Sequence, residues 1–284
     1  LPAVNWVERG LYGHGNSVPR YHIIWGTSLE LVNKMLAAIA PFKNNNIHFN
    51  FNCKVSKLLT LNESVIGCQD EDNKQYFAKN TIVASGGFTG NLAKIKAHWP
   101  KHFAPAPSKM LNGTHPSCDG AMHDEVTQLG GSVTHLDKMW NYAAGIPHPK
   151  ATFEHQGLSL IPRKSALWLD SKGKRIGPEP MITGFDTNEL CRRMSEQKQG
   201  YAWQVLNWKI ASKEFAVSGA EHNQMIRDKK FFTMLKETLL GNHRLVRQMQ
   251  NDSDHFIVAN SVHVLTSKMN DLTGTSAINE QVLQ

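Results

Sequence analysis

Thr81-Ile82-Val83-Ala84-Ser85-Gly86-Gly87-Phe88-Thr89-Gly90-Asn91 is an apolar run that stops in two adjacent glycines and restarts on a polar turn. A strand that merely ends in a loop needs one glycine at most. Two together leave main chain bare, which suits the close approach of a ligand to backbone amides. A continuous apolar run bounded by turn residues reads as a buried strand. The carboxyl ends of such strands are where open α/β sheets bind ligands. A tight strand-to-loop turn with no ligand satisfies the same residues, so both readings stand at this level.

Upstream, SLELVNKMLAAIA places Leu29, Val32, Met35, Leu36 and Ile39 at helical spacing, with Ser28 as a cap and Pro41 beyond the end. The period then changes. IHFNFNCKVSKLL alternates apolar and polar positions (Ile47, Phe49, Phe51, Cys53, Val55), the pattern of a half-buried strand. LNESVIGCQDEDNKQYFAKN gives two short strands around a polar turn at Asp70–Asn73. A helix, strands and then the buried run 81–87 predict an α/β arrangement with a parallel sheet.

Downstream, Asp119 is placed as the N-cap of a short helix, AMHDEVTQLGG, that ends on Gly130 and Gly131. Residues 164–176 predict a hairpin, with Ala166–Leu169 before a turn at Ser171-Lys172-Gly173. Beyond Asn188 the pattern is helical and basic to about Met249, and a further helix follows a short apolar strand within Val258–Asn270.

The 284 residues are 40% hydrophobic and 19% charged, the balance of a globular chain able to bury a core. No apolar run approaches the roughly 20 residues that span a bilayer, which speaks against stable membrane insertion. Cys53, Cys68, Cys118 and Cys191 are widely spaced, without the short spacings of zinc or redox motifs, and are expected as reduced thiols of a cytoplasmic protein. The net charge of +7 is confined to residues 161–250, which hold 16 Lys and Arg against 9 Asp and Glu. That surplus is a solvated face or a lure for an anionic partner. No zinc finger or aromatic-interleaved basic motif points to nucleic acid. His98 and His102 have helical metal spacing, but Pro100 lies between them, so no metal is expected. The chain opens Leu1-Pro2-Ala3 without Met and is expected to be the middle of a longer protein.

TIVASGGFTGN resembles the strand-end segment of FAD-dependent flavoproteins of the fumarate reductase and 3-ketosteroid Δ1-dehydrogenase superfamily. Four further stretches agree in order: HGNSVPRYHIIWGTSLELV, NGTHPSCDGAMHDEVTQLGG, LWLDSKGKRIGPEP, and the pair GFDTNE and GYAWQVLNWKIASKEFAVSGAEHN. The last are similar to the KstD-like branch of FAD-binding dehydrogenases. The resemblance implies a partial Rossmann-like FAD-binding domain over residues 1–138, lacking the family's GxGxxG unit and its closing segment, and a mostly helical substrate-capping domain over 139–284. It also implies hydride exchange between the flavin and a CH–CH bond beside a carbonyl of a small-molecule substrate, with ketosteroid-like compounds among the candidates.

Carried over residue by residue, Ser85, Gly86 and Gly87 match the element beside the adenosine part of FAD, and Val55 the strand pair that supports it. Asn16 and Ser17 fall near the flavin, and Asp119 and Gly120 match the "DG" pair at the cofactor. Arg20, Thr27, Trp140 and Arg175 fall on the substrate side. Where fumarate reductases place a proton-donating arginine, this chain has Thr183, Gly184 and Phe185. Tyr142 stands near the position of a substrate-binding histidine, and a tyrosine beside a flavin can exchange a proton with a ketone or a neighbouring carbon. Tyr142 and Trp140 read equally as buried aromatics between the domains, Arg175 as a hairpin residue pairing with Glu179, and Arg20 as a salt-bridged core residue. From another class, a flavin-free binding module whose basic region recruits an anionic partner accounts for the same charge pattern.

Overall fold

A computed structural model describes residues 24–43, 46–160, 165–177, 181 and 187–283. Asn16, Ser17 and Arg20 lie outside the described residues, as do Glu179 and the Thr183–Phe185 stretch. The chain divides into a larger unit, containing described residues 24–34, 102–111 and 140–283, and a smaller one of 35–101 and 112–139.

Helix α1, Thr27–Ile39, forms as its periodicity requires, but none of its residues is buried. Leu29 and Met35 are about as exposed as a surface lysine would be, at 62% and 61%. In the smaller unit, strands β1 (Val55–Leu61), β2 (Ser64–Asp70) and β3 (Gln75–Phe77) form an antiparallel meander in that order. The alternating stretch from Ile47 becomes a strand only at Val55. A turn at Phe51–Asn52, with Asn52 at φ +52°, breaks the extended backbone, and Phe49 stacks on Phe51 instead of joining a sheet. Asp70 closes the β2–β3 turn: its carboxylate accepts the amides of Asp72 and Lys74 and the hydroxyl of Tyr76 at 2.9–3.1 Å. Burial works against its ionisation, but these bonds and the Cys53 thiol hold its carboxyl below the usual range.

Residues 81–87 then form no strand and pair with none among the described residues, and Ile82 is 88% exposed. The buried parallel strand expected there is not formed among them; every strand pairing they make is antiparallel. Helix α2 (Leu92–Ala97) follows, with the Asn91 side chain accepting the amides of Ala93 and Lys94. Helix α3 (Ala121–Gln128) opens on Gly120 in the left-handed conformation; Asp119, expected as the cap residue itself, sits one position earlier and accepts the Ala121 amide at 2.8 Å. The Leu58 amide of β1 donates to Glu125 of α3 at 3.1 Å, tying sheet to helix.

The larger unit carries two two-stranded antiparallel sheets, β4 (Gly145–Pro147) with β5 (Gly157–Ser159), and β6 (Leu167–Leu169) with β7 (Trp203–Val205). The expected hairpin after β6 is present, Ile176 donating back to the Trp168 carbonyl across the Asp170–Gly173 turn. Helices α4 (Thr187–Ser195), α5 (Trp208–Glu214), α6 (Gln224–Arg227), α7 (Phe231–Leu240), α8 (His243–Asp252), α9 (Val262–Thr273) and α10 (Glu280–Leu283) complete it. No strand precedes α9; residues 257–259 are irregular. One core joins Leu158, Val217, Leu245, Val246 and Met249, and another joins Ala144, Trp168, Met181 and Leu190. None of the four cysteines forms a disulfide. Among the described residues no helix is long and apolar enough to cross a membrane.

Candidate functional site

The glycine pair sits on exposed main chain. Ser85, Gly86 and Gly87 are all exposed, and Gly86 adopts φ +82°, a left-handed conformation that β-carbon sterics disfavour. A β-carbon on Gly86 would meet only the Cys118 sulfur, at 3.9 Å, and one on Gly87 would meet nothing within 4 Å. Gly86 is therefore required by its backbone angle, while the space over Gly87 is open to an external group.

Val83, Ala84, Ser85 and Gly86 form one wall of a cleft of about 500 Å³. Met122, His123 and Val126 of α3, with Val133, form the other. That size lies within the range of small-molecule sites. His123 Nε2 lies 3.2 Å from the Gly86 carbonyl oxygen, and a carbonyl can only accept, so Nε2 carries the proton. Nδ1 is buried and has no partner among the described residues. The Phe88 ring meets the imidazole edge-on, 6.1 Å between centroids. Bare backbone and apolar walls fit the adenosine end of a dinucleotide, the walls suiting a purine. Composition missed His123; the signal was a histidine in the first turn of the helix that Asp119-Gly120 opens.

The other expected residues fall differently. Gly120 is buried, its carbonyl already accepts the Lys94 ammonium at 2.8 Å, and a β-carbon there would lie 2.5 Å from that of Phe88. The packing of Phe88 and the left-handed backbone thus account for this glycine. Asp119 lies 3.8 Å from Lys54, and Val55 pairs with Asp70 at the start of β1. These residues share the smaller unit with the cleft, but only Ser85 and Gly86 among the expected ones line it.

Trp140, Tyr142, Arg175 and Thr27 belong to the larger unit. Trp140 and Tyr142 are 64% and 54% exposed, so neither is a buried aromatic in this chain. Arg175 is exposed and bridges to Leu169 in the β6 hairpin. Thr27 has φ +66°, a costly conformation for a β-branched residue. It is kept there by its own amide bond to the Ile24 carbonyl, by the Gly26 amide on Ile226 at 3.0 Å, and by the Lys229–Glu30 ion pair at 3.0 Å.

A second polar cluster lies in the larger unit. His148 Nε2 is 3.3 Å, and His222 Nε2 3.7 Å, from the same Glu221 oxygen, and the three potential ligand atoms lie within 4.8 Å. The Lys150 amide donates to His148 Nδ1 at 3.1 Å, which puts the His148 proton on Nε2, the nitrogen a cation would need. The cluster is thus a histidine–carboxylate hydrogen bond beside a buried imidazole. Burial pushes His222 below the ordinary histidine range, against the pull of Glu221.

Residues 7–269 match the family model described as FAD binding domain, and the chain belongs to that family, a class of proteins built to hold flavin adenine dinucleotide. A KsdD-like steroid dehydrogenase of Mycobacterium tuberculosis is 33% identical over 96% of this chain and 51% of its own length. One of Mycolicibacterium smegmatis is 32% identical over 96% of this chain and 53% of its own. A fumarate reductase of Schizosaccharomyces pombe is 24% identical over 64% of this chain and 38% of its own length. The chain thus spans about half the length of the steroid dehydrogenases it matches.

Proposed function

We propose that this chain is the central part of an FAD-dependent dehydrogenase or reductase acting on a CH–CH bond next to a carbonyl, with a ketosteroid-like substrate as the favoured class. The observation that carries the reading is the cleft along Ser85–Gly86, with open backbone at Gly87. The names of the mycobacterial relatives favour the steroid class for the substrate.

Ser85, Gly86 and Gly87 would hold the adenosine end through exposed main chain. Asn16, Ser17, Val55, Asp119 and Gly120 are the further cofactor-side candidates. FAD, when bound, supplies the hydride chemistry. The protein's part is to position the substrate carbonyl and to move one proton. We assign the proton to the Tyr142 hydroxyl, which is accessible rather than packed away, and substrate placement to Arg20, Thr27, Trp140 and Arg175. The division into a cofactor domain (1–138) and a capping domain (139–284) belongs to the same proposal. The units found here part at nearly the same point, between Met139 and Trp140, but residues 24–34 and 102–111 go with the larger one.

Absorption spectra of the purified full-length protein test the reading: flavin bands that bleach with dithionite, that bleach on adding a saturated ketosteroid anaerobically, or that return when an enone or enoate is added to the reduced protein, are expected. A folded but colourless full-length protein refutes it and leaves the flavin-free binding module in its place. Tyr142→Phe should lower turnover roughly 100-fold, the usual reach of general acid–base catalysis, with flavin content unchanged. Undiminished turnover removes Tyr142 from the chemistry.

A further inference from the structure

Helix α7, Phe231–Leu240, turns its apolar side outward. A period of about 3.6 residues puts Phe231, Phe232, Leu235 and Leu239 on one stripe. All four are exposed, Phe232 at 84% and Leu239 at 63%. The opposite side carries Met234 and Glu237, which are half-buried. The Glu237 carboxylate accepts the Arg244 guanidinium at 3.1 Å, and the Lys213 ammonium of α5 donates to the Leu239 carbonyl. The helix is thus held from its inner side by polar contacts, and its apolar stripe is left bare. Exposed apolar stripes of this kind mark interaction surfaces.

The charge around the stripe selects the partner. Lys230 precedes it, Lys236 lies one turn beyond Phe232, and Lys213 stands at its far end. The one carboxylate of α7 is the inward Glu237, and Asp228 before the helix is already paired with Arg227 at 2.7 Å and Lys230 at 3.4 Å. Helix α1 gives the contrast. Leu29 and Met35 are exposed there too, but Glu30 balances Lys34, and no charge selects what covers them.

An apolar stripe framed by ammonium groups matches a lipid surface with anionic headgroups. Aromatic and leucine side chains enter the acyl boundary there, and lysines stay at the phosphates. A nucleic acid offers nothing to Phe232 and Leu239, and an apolar protein groove offers nothing to the lysines. With ten residues α7 is about 15 Å long, about half of what crosses a bilayer core, so it lies in the surface.

We propose that α7 docks the protein reversibly on an anionic lipid surface. Phe231, Phe232, Leu235 and Leu239 insert, and Lys230 and Lys236 meet the headgroup phosphates. This goes beyond the flavin reading and does not depend on it. A ketosteroid-like substrate, which dissolves in the same lipid, would give the docking a use.

The experiment sediments the full-length protein with sucrose-loaded vesicles of phosphatidylcholine alone, or of phosphatidylcholine and phosphatidylglycerol in equal parts. Wild type is expected to bind the anionic vesicles at least about tenfold more strongly than the neutral ones. Raising the salt from about 0.1 M to about 0.5 M should remove most of that preference. Phe232→Ser combined with Leu239→Ser should weaken binding at least about tenfold. Lys230→Gln and Lys236→Gln should each weaken it about fivefold. Melting temperatures should not move, because these side chains are exposed.

Wild type that stays in the supernatant with both vesicles overturns the proposal, and so does equal binding to the two. Binding that the lysine changes weaken and the Phe232–Leu239 change does not belongs to a polar anionic partner, and overturns it as well. A Phe232→Ser, Leu239→Ser protein that unfolds or melts clearly lower shows that the rest of the full-length chain covers the stripe. One that is monomeric where wild type is dimeric shows that a second copy covers it. Either result overturns the proposal. The flavin spectrum of the same preparations tests the functional reading separately.

Discussion

Met249 stands in a polar stretch of sequence and Ile82 in an apolar one, yet Met249 is 0% exposed and Ile82 88%. Met249 lies on α8, whose inner positions Leu245 and Val246 close with Leu158 and Val217 into a core completed within the larger unit. Ile82 lies on the run that leads to the glycine pair, and no described strand pairs with it. Burial takes neighbours on both sides of a side chain. The larger unit supplies them to α8 from β5, from α5 and from the residues just after α5, whereas the described residues supply the 81–87 run with α3 along one side at most. What remains uncovered in the smaller unit is main chain and a cleft.

The most direct way to break this contrast is to empty the core side of it. Met249→Ala removes a fully buried side chain from the Leu158–Val217–Leu245 cluster. It should cost about 2–5 kcal/mol, as large-to-small changes in packed interiors do. Urea unfolding followed by tryptophan fluorescence would read this as a lower midpoint at unchanged slope. A loss below 0.5 kcal/mol would mean that α8 is not the keystone of that unit.

Acid provides a middle-sized effect, again confined to the larger unit. His222 is 3% exposed, and burial, only partly offset by Glu221, holds it below its ordinary range. A base whose folded pKa lies below its unfolded one takes up its proton more readily when unfolded, so stability is full above the ordinary histidine range and falls as pH drops through the folded value. His148 and Lys150 face the same ring and add to the penalty; Glu221 and Asp252 oppose it. The expected slope on acidification is at most about 1.4 kcal/mol per pH unit, measured as melting temperature between about pH 7 and pH 5. His222→Asn, whose side-chain oxygen falls near the Nδ1 position and can keep the hydrogen bond from Gln248, should flatten it. A slope that survives the substitution would have to come from another group.

Much of this architecture was legible from residue order. The period of Leu29, Val32 and Met35 gave α1 within a residue at each end, and the β1–β2–β3 meander, α3 and the β6 hairpin follow from local turn and cap chemistry. What was not legible depends on tertiary partners. Alternation from Ile47 to Cys53 cannot show that Asn52 turns left-handed. An unbroken apolar run cannot show whether a neighbouring strand is there to cover it. His123 was missed because its role depends on a carbonyl 37 residues away. Gly120 matched a family pattern, but the packing of Phe88 explains it without a ligand.

The smallest effect separates the two glycines that opened the question. At Gly86 the backbone is left-handed, φ +82°, so Gly86→Ala should cost about 1–2 kcal/mol although the added carbon meets only a sulfur at 3.9 Å. At Gly87 the added carbon meets nothing within 4 Å, so Gly87→Ala should leave stability unchanged to within about 0.5 kcal/mol. If that open space is where the cofactor lies, the same silent substitution should weaken FAD binding, because a methyl group would stand between the ligand and the main chain. The two measurements together distinguish a glycine kept for its backbone from a glycine kept for its visitor. A Gly87→Ala protein that melts normally and binds FAD normally would show that the second glycine has no part in the site.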